Sequence, residues 1–176
     1  MIFVTVGTHE QSFKRLIEKI DELVEKKIIS EDVFMQIGYT NDYKPKHCKF
    51  KEMLTVVEMN EYSKKARIII THGGPGTIML PFELGKVPIV VPRNPIYDEH
   101  VDEHQILFTK KLVSVNKVIG VFDIEELEKK ILDYDKYVGE CKKSTSNSHN
   151  KFVELFENEI EELMNNKRGW FKLWKK

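Results

Sequence analysis

Two short glycine-bearing stretches hold the residues with the most chemical potential, Gly7-Thr8-His9 and His72-Gly73-Gly74-Pro75-Gly76-Thr77. Each follows a run of β-branched side chains, over residues 2–6 and 68–71. Glycine at the end of a strand lets backbone N–H groups approach a ligand closely, because no Cβ stands in the way. Where a helix starts there, its first N–H groups are unpaired and its dipole is positive, so the point favours an anion, phosphate above all. Pro75 suits the first position of such a helix, since its missing N–H would be unpaired anyway. Gly76 and Thr77 keep the first turn small and polar. The glycine intervals fit neither the P-loop, which needs a Lys-Ser/Thr pair next, nor the G-x-G-x-x-G fingerprint. A tight strand-to-helix turn with no ligand fits the spacing as well. Both readings stand on the turn alone. His72 and His9 either donate to a phosphate or pack over their own turns.

Other residues of chemical interest follow the second turn. His100-Val101-Asp102-Glu103-His104 matches H-x-x-E-H, in which two histidines one helical turn apart hold zinc and the Glu is a base. Against a metal, no third ligand stands out downstream. The better reading is a helix N-terminus at a ligand cleft, with polar side chains directed at sugar hydroxyls, so no metal site is assigned. The pairs Asp98-Glu99 and Asp102-Glu103 read as partners of a helix dipole in preference to cation ligands. Arg93 stands either at the ligand edge or in a surface ion pair. His47 and His149 lie in polar loops, and Cys48 and Cys141 have no pairing motif or adjacent His.

The elements that position these groups follow from periodicity. After the strand over 2–6, Phe13, Leu16, Ile17, Ile20, Leu23 and Val24 recur at intervals of three and four, predicting a helix over 10–27. Residues 33–37 read as a strand closed by Gly38, 53–57 as a short strand, and 59–65 as a short helix; 39–51 is polar and carries no periodicity. The strand over 68–71, a helix from Pro75 to a C-cap at Gly85, and a strand over 88–91 form the central unit. Asp98 is expected to cap a helix over about 99–112. A strand over 113–115 and a helix capped by Asp123, with Ile124, Leu127, Ile131 and Leu132 inward, complete the pattern. Strands alternating with helices predict an α/β, Rossmann-like, mainly parallel sheet with helices on both faces. Such a sheet sets both glycine turns on the carboxyl edge of its strands, where they flank one ligand.

The chain has 176 residues, 28 basic and 28 acidic. Zero net charge gives no footprint for nucleic acid. No signal peptide or membrane-spanning run is read, which fits a cytoplasmic protein. Residues 1–140 are expected to form one domain, and 141–176 a C-terminal appendage: a loop over 142–150, a helix over 151–165 and a tail. Trp170, Phe171, Leu173 and Trp174 among basic residues suit peripheral contact with an anionic membrane or a partner groove, or fold back on the sheet.

Five blocks in order, VTVGTHEQSFKRL, Gln36-Ile37-Gly38, THGGPGT, LGKVPIVVPR and YDEHVDEHQ, resemble the C-terminal, nucleotide-sugar-binding domain of glycosyltransferase family 28. The resemblance covers about residues 1–140. It is strongest to small stand-alone members: the catalytic subunit of the two-part N-acetylglucosaminyltransferase of dolichol-linked oligosaccharide assembly, and bacterial capsule or exopolysaccharide counterparts. It implies the C-terminal half of a GT-B enzyme, with a UDP-sugar donor at the strand ends and a lipid-linked saccharide acceptor. It further implies a membrane-anchored partner subunit, placement at the inner face of the cell membrane, inversion at the anomeric carbon, and no metal or other cofactor. Position by position, Gly7 and Thr8 are expected to approach the diphosphate from the first turn, and His72, Gly73, Gly74, Gly76 and Thr77 to receive it at the second. Thr55 and Val56 fall where the family holds uracil through backbone groups, and His104 and Gln105 where it holds the donor sugar. Leu80 stands where the family commonly has a ribose-binding Glu; Glu83, three residues on, either substitutes or faces solvent. His9 is a candidate base for the acceptor hydroxyl, a role the partner would fill equally well. The alternative is a non-catalytic, partner-binding subunit of such a transferase.

Overall fold

Branched side chains on successive residues oblige a strand to be covered on both faces. In the computed structural model, which describes residues 1–143, the Ile-Ile-Ile-Thr run is strand β4 (Ile68–Thr71), fully buried. The described elements run β1 (Ile2–Thr5), α1 (Lys14–Glu25), β2 (Val33–Gln36), β3 (Lys49–Lys51), α2 (Val56–Lys65), β4, α3 (Pro75–Glu83), β5 (Ile89–Val90), α4 (His104–Ser114), β6 (Ile119–Gly120), α5 (Leu127–Leu132) and α6 (Tyr134–Lys143). The strands form one parallel sheet in the order β3-β2-β1-β4-β5-β6.

Alternate residues of each strand face opposite layers. Ile2, Val4, Ile68, Ile70 and Ile89 pack with Leu16, Ile17 and Ile20 of α1 and with Leu127 and Ile131 of α5. On the other face, Phe3 and Ile69 meet Met59 and Tyr62 of α2, and Val90 meets Ile78 of α3 and Phe108 and Leu112 of α4. Each fully buried Ile or Phe contributes about 1.5–3 kcal/mol relative to exposure, so this two-sided burial holds the sheet. The strand order reverses between β1 and β4, whose Thr5 and Thr71 lie in register. Helices leaving these two strands diverge to opposite faces, which opens a crevice beyond their carboxyl ends.

Several local expectations are corrected. The third strand is Lys49–Lys51, an exposed edge, and 53–57 is the entry to α2. Thr55 caps that helix in a capping box with Glu58, a Thr-x-x-Glu pattern present in the sequence. Asp98 is not the N-cap of α4: it lies in the left-handed region (φ 56°) and closes a 3-10 turn, Pro95–Tyr97, and α4 starts at His104. Residues 113–115 close α4, and the strand there is Ile119–Gly120. Asp123 caps a 3-10 turn, Ile124–Glu126, that leads into α5, whose own N-cap is Glu126, and Leu132 is exposed. Residues 142–143 belong to α6; the rest of the expected loop, the helix over 151–165 and the tail lie outside the described residues.

Candidate functional site

The two glycine turns share one open cleft of about 520 Å³. Gly7, Thr8 and His9 line it from the β1–α1 turn, and His72, Gly74, Gly76 and Thr77 from the β4–α3 turn. Met53, Leu54 and Met59 give it an apolar wall.

The first turn is held by one side chain that strand patterning does not single out. Gln36, buried at the end of β2, accepts from the Thr5 hydroxyl (2.7 Å) and the Gly7 N–H (3.1 Å) through Oε1. Its Nε2 donates to the carbonyls of Gly7 (2.9 Å) and Glu52 (3.0 Å). Gly7 lies in the left-handed region (φ 73°), which a side chain rarely adopts. The N–H of Thr8, which lines the cleft, has no partner among the described residues.

In the second turn His72 lies beneath the backbone, and both its ring nitrogens are engaged. The Gly74 N–H donates to Nδ1 (3.1 Å), which assigns the ring proton to Nε2, and Nε2–H donates to Thr77 Oγ1 (3.0 Å). Gln105 Oε1, 3.4 Å from Nδ1, is instead occupied by the N–H groups of Gly73 (3.0 Å) and Arg93 (3.2 Å). Burial, reinforced by Arg93, pushes the imidazole down to about 3, so His72 is neutral. His72 thus borders the cleft with both ring nitrogens engaged inside the turn, one of them holding Thr77. Since Thr77 Oγ1 accepts from His72, its own hydrogen is left to point elsewhere.

The glycines divide by what surrounds them. A Cβ on Gly7 would lie 2.4 Å from His72 Nε2, one on Gly74 2.1 Å from His72 Cε1, and one on Gly73 2.9 Å from Gln105 Cβ. These three make room for the protein's own side chains before any ligand is considered. At Gly76 a Cβ meets nothing within 4 Å. The N–H groups of Gly73, Gly74 and Thr77 are used internally, and Pro75 has none; that of Gly76 has no partner among the described residues. The donors available to an anion are thus the Gly76 N–H, the Thr77 hydroxyl and, across the cleft, the Thr8 N–H, at the positive end of the α3 dipole.

Arg93 is neither at the surface nor in the cleft. Fully buried, it donates to the carbonyls of Gln11 (2.7 Å), Ser12 (3.3 Å) and Glu99 (3.1 Å) through Nη1 and of Val6 (3.0 Å) through Nη2. Burial lowers it to about 10, leaving it charged at neutral pH. Its role is to bolt the β1–α1 turn to the segment after β5, and Arg15, paired with Glu99 through Nη2 and Oε2 at 2.8 Å, makes a second bolt. Between them the rings of His9 and His100 approach at 4.7 Å, centroid to centroid. Burial first, then His100 and Arg93, lower the pKa of His9. Its Nδ1 accepts from the Gln11 N–H (3.2 Å), so in the neutral ring Nε2 carries the proton.

Of the remaining expected site residues, Gln105 lines the cleft, whereas His104, the first residue of α4, does not. Thr55 and Val56 stand outside it, the Thr55 N–H being taken by Glu58 Oε2 (2.9 Å); Met53 and Leu54, just before them, form the wall instead. Glu83 is exposed at the far end of α3, away from the cleft. His100 and His104 do not share a helix, and no group of three or more metal-ligating side chains occurs among the described residues. A second groove, about 580 Å³, crosses the outer face of α1, but its charges pair with one another, as Lys19 with Glu125 and Arg15 with Glu99.

The sequence matches the glycosyltransferase family 28 C-terminal domain over residues 1–163. No curated protein matches it. Among solved structures, it is similar to MurG of Acinetobacter baumannii (TM-score 0.53, 18% identity, 88% of this chain and 49% of that one). It is also similar to the glycosyltransferase SnogD of Streptomyces nogalater (TM-score 0.51, 16% identity, 93% of this chain and 42% of that one). At these identities the likeness is one of fold, and the chain spans about half the length of either structure.

Proposed function

We propose, on the premise that this chain belongs to the glycosyltransferase family 28 C-terminal domain family, that it is the donor-binding, catalytic subunit of an inverting hexosyltransferase. It takes a UDP-sugar and passes the sugar to a lipid-linked saccharide during capsule or exopolysaccharide synthesis. A membrane-anchored partner holds the acceptor. The observation that carries this reading is the convergence of the Thr8 N–H, the Gly76 N–H and the Thr77 hydroxyl on one cleft at the reversal of strand order. The apolar wall of Met53, Leu54 and Met59 suits the flat face of a nucleobase.

Departure of UDP builds negative charge on the β-phosphate. Fixed donors at a helix N-terminus stabilise that charge without having to reorganise. Thr77 is held for this by His72, which cannot protonate and swing away at physiological pH. The free amide of Gln105 borders the same cleft and suits the hydroxyls of the donor sugar. Since these donors act without a metal, turnover is expected to survive EDTA. No helix among the described residues is long and apolar enough to cross a membrane. Membrane attachment is assigned to the partner and to the aromatic, basic tail.

Calorimetric titration with UDP tests the reading. Saturable binding is expected, and Thr77→Val should weaken it about 10-fold, on the scale of one hydrogen bond to a charged group, while Thr77→Ser retains it. Absence of UDP binding would favour the non-catalytic, partner-binding subunit.

A further inference from the structure

The β1–α1 turn borders two concavities. Gly7, Thr8 and His9 line the donor cleft, and Ser12 and Arg15 line the groove of about 580 Å³. From His9 to Ser12 is three residues, at most about 11 Å even fully extended. Gln11, within that stretch, ties the turn to a residue of the groove, its Nε2 donating to the Asp98 carbonyl (2.9 Å). One short ligand can therefore reach from the groove to the cleft.

The groove is poorly suited to an anion. Six carboxylates and three cations line it, and the cations are engaged. Arg15 donates to Glu99 through Nε (2.9 Å) and Nη2 (2.8 Å), Lys19 pairs with Glu125 (2.6 Å), and Lys14 lies 4.0 Å from Glu18. Carboxylate oxygens remain in excess. That of Asp98 is exposed and has no partner among the described residues, and Asp42 uses only Oδ1, which accepts from the Ser12 hydroxyl. Such oxygens accept strong, charge-assisted hydrogen bonds from neutral hydroxyls.

Beside them the groove holds an aromatic ring. The guanidinium carbon of Arg15 lies 4.9 Å over the ring of Tyr97, yet the residue is 57% exposed. Tyr97 ends a 3-10 turn that Asn94 fixes, its side chain accepting from the Ile96 N–H (3.0 Å) and its own N–H donating to Glu99 Oε2 (2.9 Å). A fixed, solvent-facing ring next to unused acceptors matches the two-sided chemistry of a sugar, which has C–H groups on its faces and hydroxyls at its rim.

We propose that this groove is a subsite for a neutral saccharide, with a sugar ring stacked on Tyr97 and its hydroxyls donating to the carboxylates of Asp42 and Asp98. On the transferase reading, on which this part rests, the bound sugar is a unit of the acceptor next to the one that receives the transfer. The lipid-linked end stays with the partner, and this chain contributes to the choice of acceptor.

The test is a nitrogen-15 NMR titration of the full chain at millimolar ligand with maltotriose, cellotriose and chitotriose, with trigalacturonate as the anionic control and UDP as the donor probe. At least one neutral trisaccharide should shift the amides of Ser12, Tyr97 and Asp98 saturably, and trigalacturonate should not. UDP should shift Thr8 and Gly76 and leave Tyr97 in place. Tyr97→Ala should weaken the sugar about 10-fold, roughly the upper value of one ring stack, with UDP affinity unchanged. Tyr97→Phe, which keeps the ring, should stay within about twofold of wild type. Silence toward all three neutral sugars, equal shifts with trigalacturonate, or wild-type affinity in Tyr97→Ala overturns the subsite and leaves the transferase reading intact. Sugar shifts without UDP binding support the subsite and overturn the transferase reading.

Discussion

Gly76→Ala separates a glycine kept for a ligand from a glycine kept for the fold. An added Cβ at this position meets no atom within 4 Å, and Gly76 is not among the glycines with positive φ. The folded protein should therefore accept alanine, gaining up to about 1 kcal/mol from the lower conformational freedom of the unfolded chain. The methyl group would project into open space at a residue that lines the cleft, where it would crowd a phosphate bound to the Gly76 N–H, which has no partner among the described residues. A phosphate held off that N–H loses a charge-assisted hydrogen bond of about 1.5–3 kcal/mol, roughly 10- to 150-fold in Kd. Calorimetry with UDP, run beside thermal denaturation, reads both quantities on one sample. The expected result is a Tm equal to or above wild type with weakened UDP binding. Gly74→Ala is the internal contrast: its Cβ would lie 2.1 Å from His72 Cε1, a ring pinned by two hydrogen bonds. That overpacking should cost about 1–3 kcal/mol of stability. A folded Gly76→Ala chain with wild-type affinity for UDP would refute the reasoning, because no phosphate then approaches that amide.

Acidification should destabilise the fold through His72, whose imidazole lies at about 3 when folded against an ordinary 6.5. Below 6.5 the unfolded chain binds a proton that the folded chain refuses, so stability is complete above that pH and is lost as pH falls toward about 3. Urea midpoints at pH 7, 5 and 4 should fall more steeply for wild type than for His72→Gln; parallel curves would remove His72 as the cause. Lys86 Nζ donates to the carbonyls of Ser63 (2.7 Å), Lys64 (2.8 Å) and Ala66 (2.6 Å), closing the C-terminus of α2. Lys86→Met should cost about 1–3 kcal/mol in urea denaturation by leaving those acceptors unmade, and an unchanged midpoint would deny the cap its role.

Local composition sufficed where one physical demand dominated. The runs at 2–5 and 68–71 are branched and uncharged, so a strand buried on both faces is the sole economical outcome, and alternation with amphipathic stretches such as 14–25 then dictates a parallel sheet. Pro75 and Gly85 marked the ends of α3, because each has a backbone geometry that belongs at one terminus of a helix. The two turns were likewise legible as partners, since a doubly wound sheet puts both on one edge. Edges and loops were less readable: Lys49–Lys51 pairs only along one side and buries nothing, so no hydrophobic pattern announces it. What the glycines and histidines do was decided by contacts between residues far apart in the chain. Gly7 is small because His72 packs on it, Gln36 joins two strands to a turn, and Arg93 spans from β5 to the β1–α1 turn. The proton positions on His72 and His9 depend on which N–H faces each ring nitrogen. Residue type states what a side chain is able to donate or accept; only the folded neighbours determine which atoms remain free to meet a ligand.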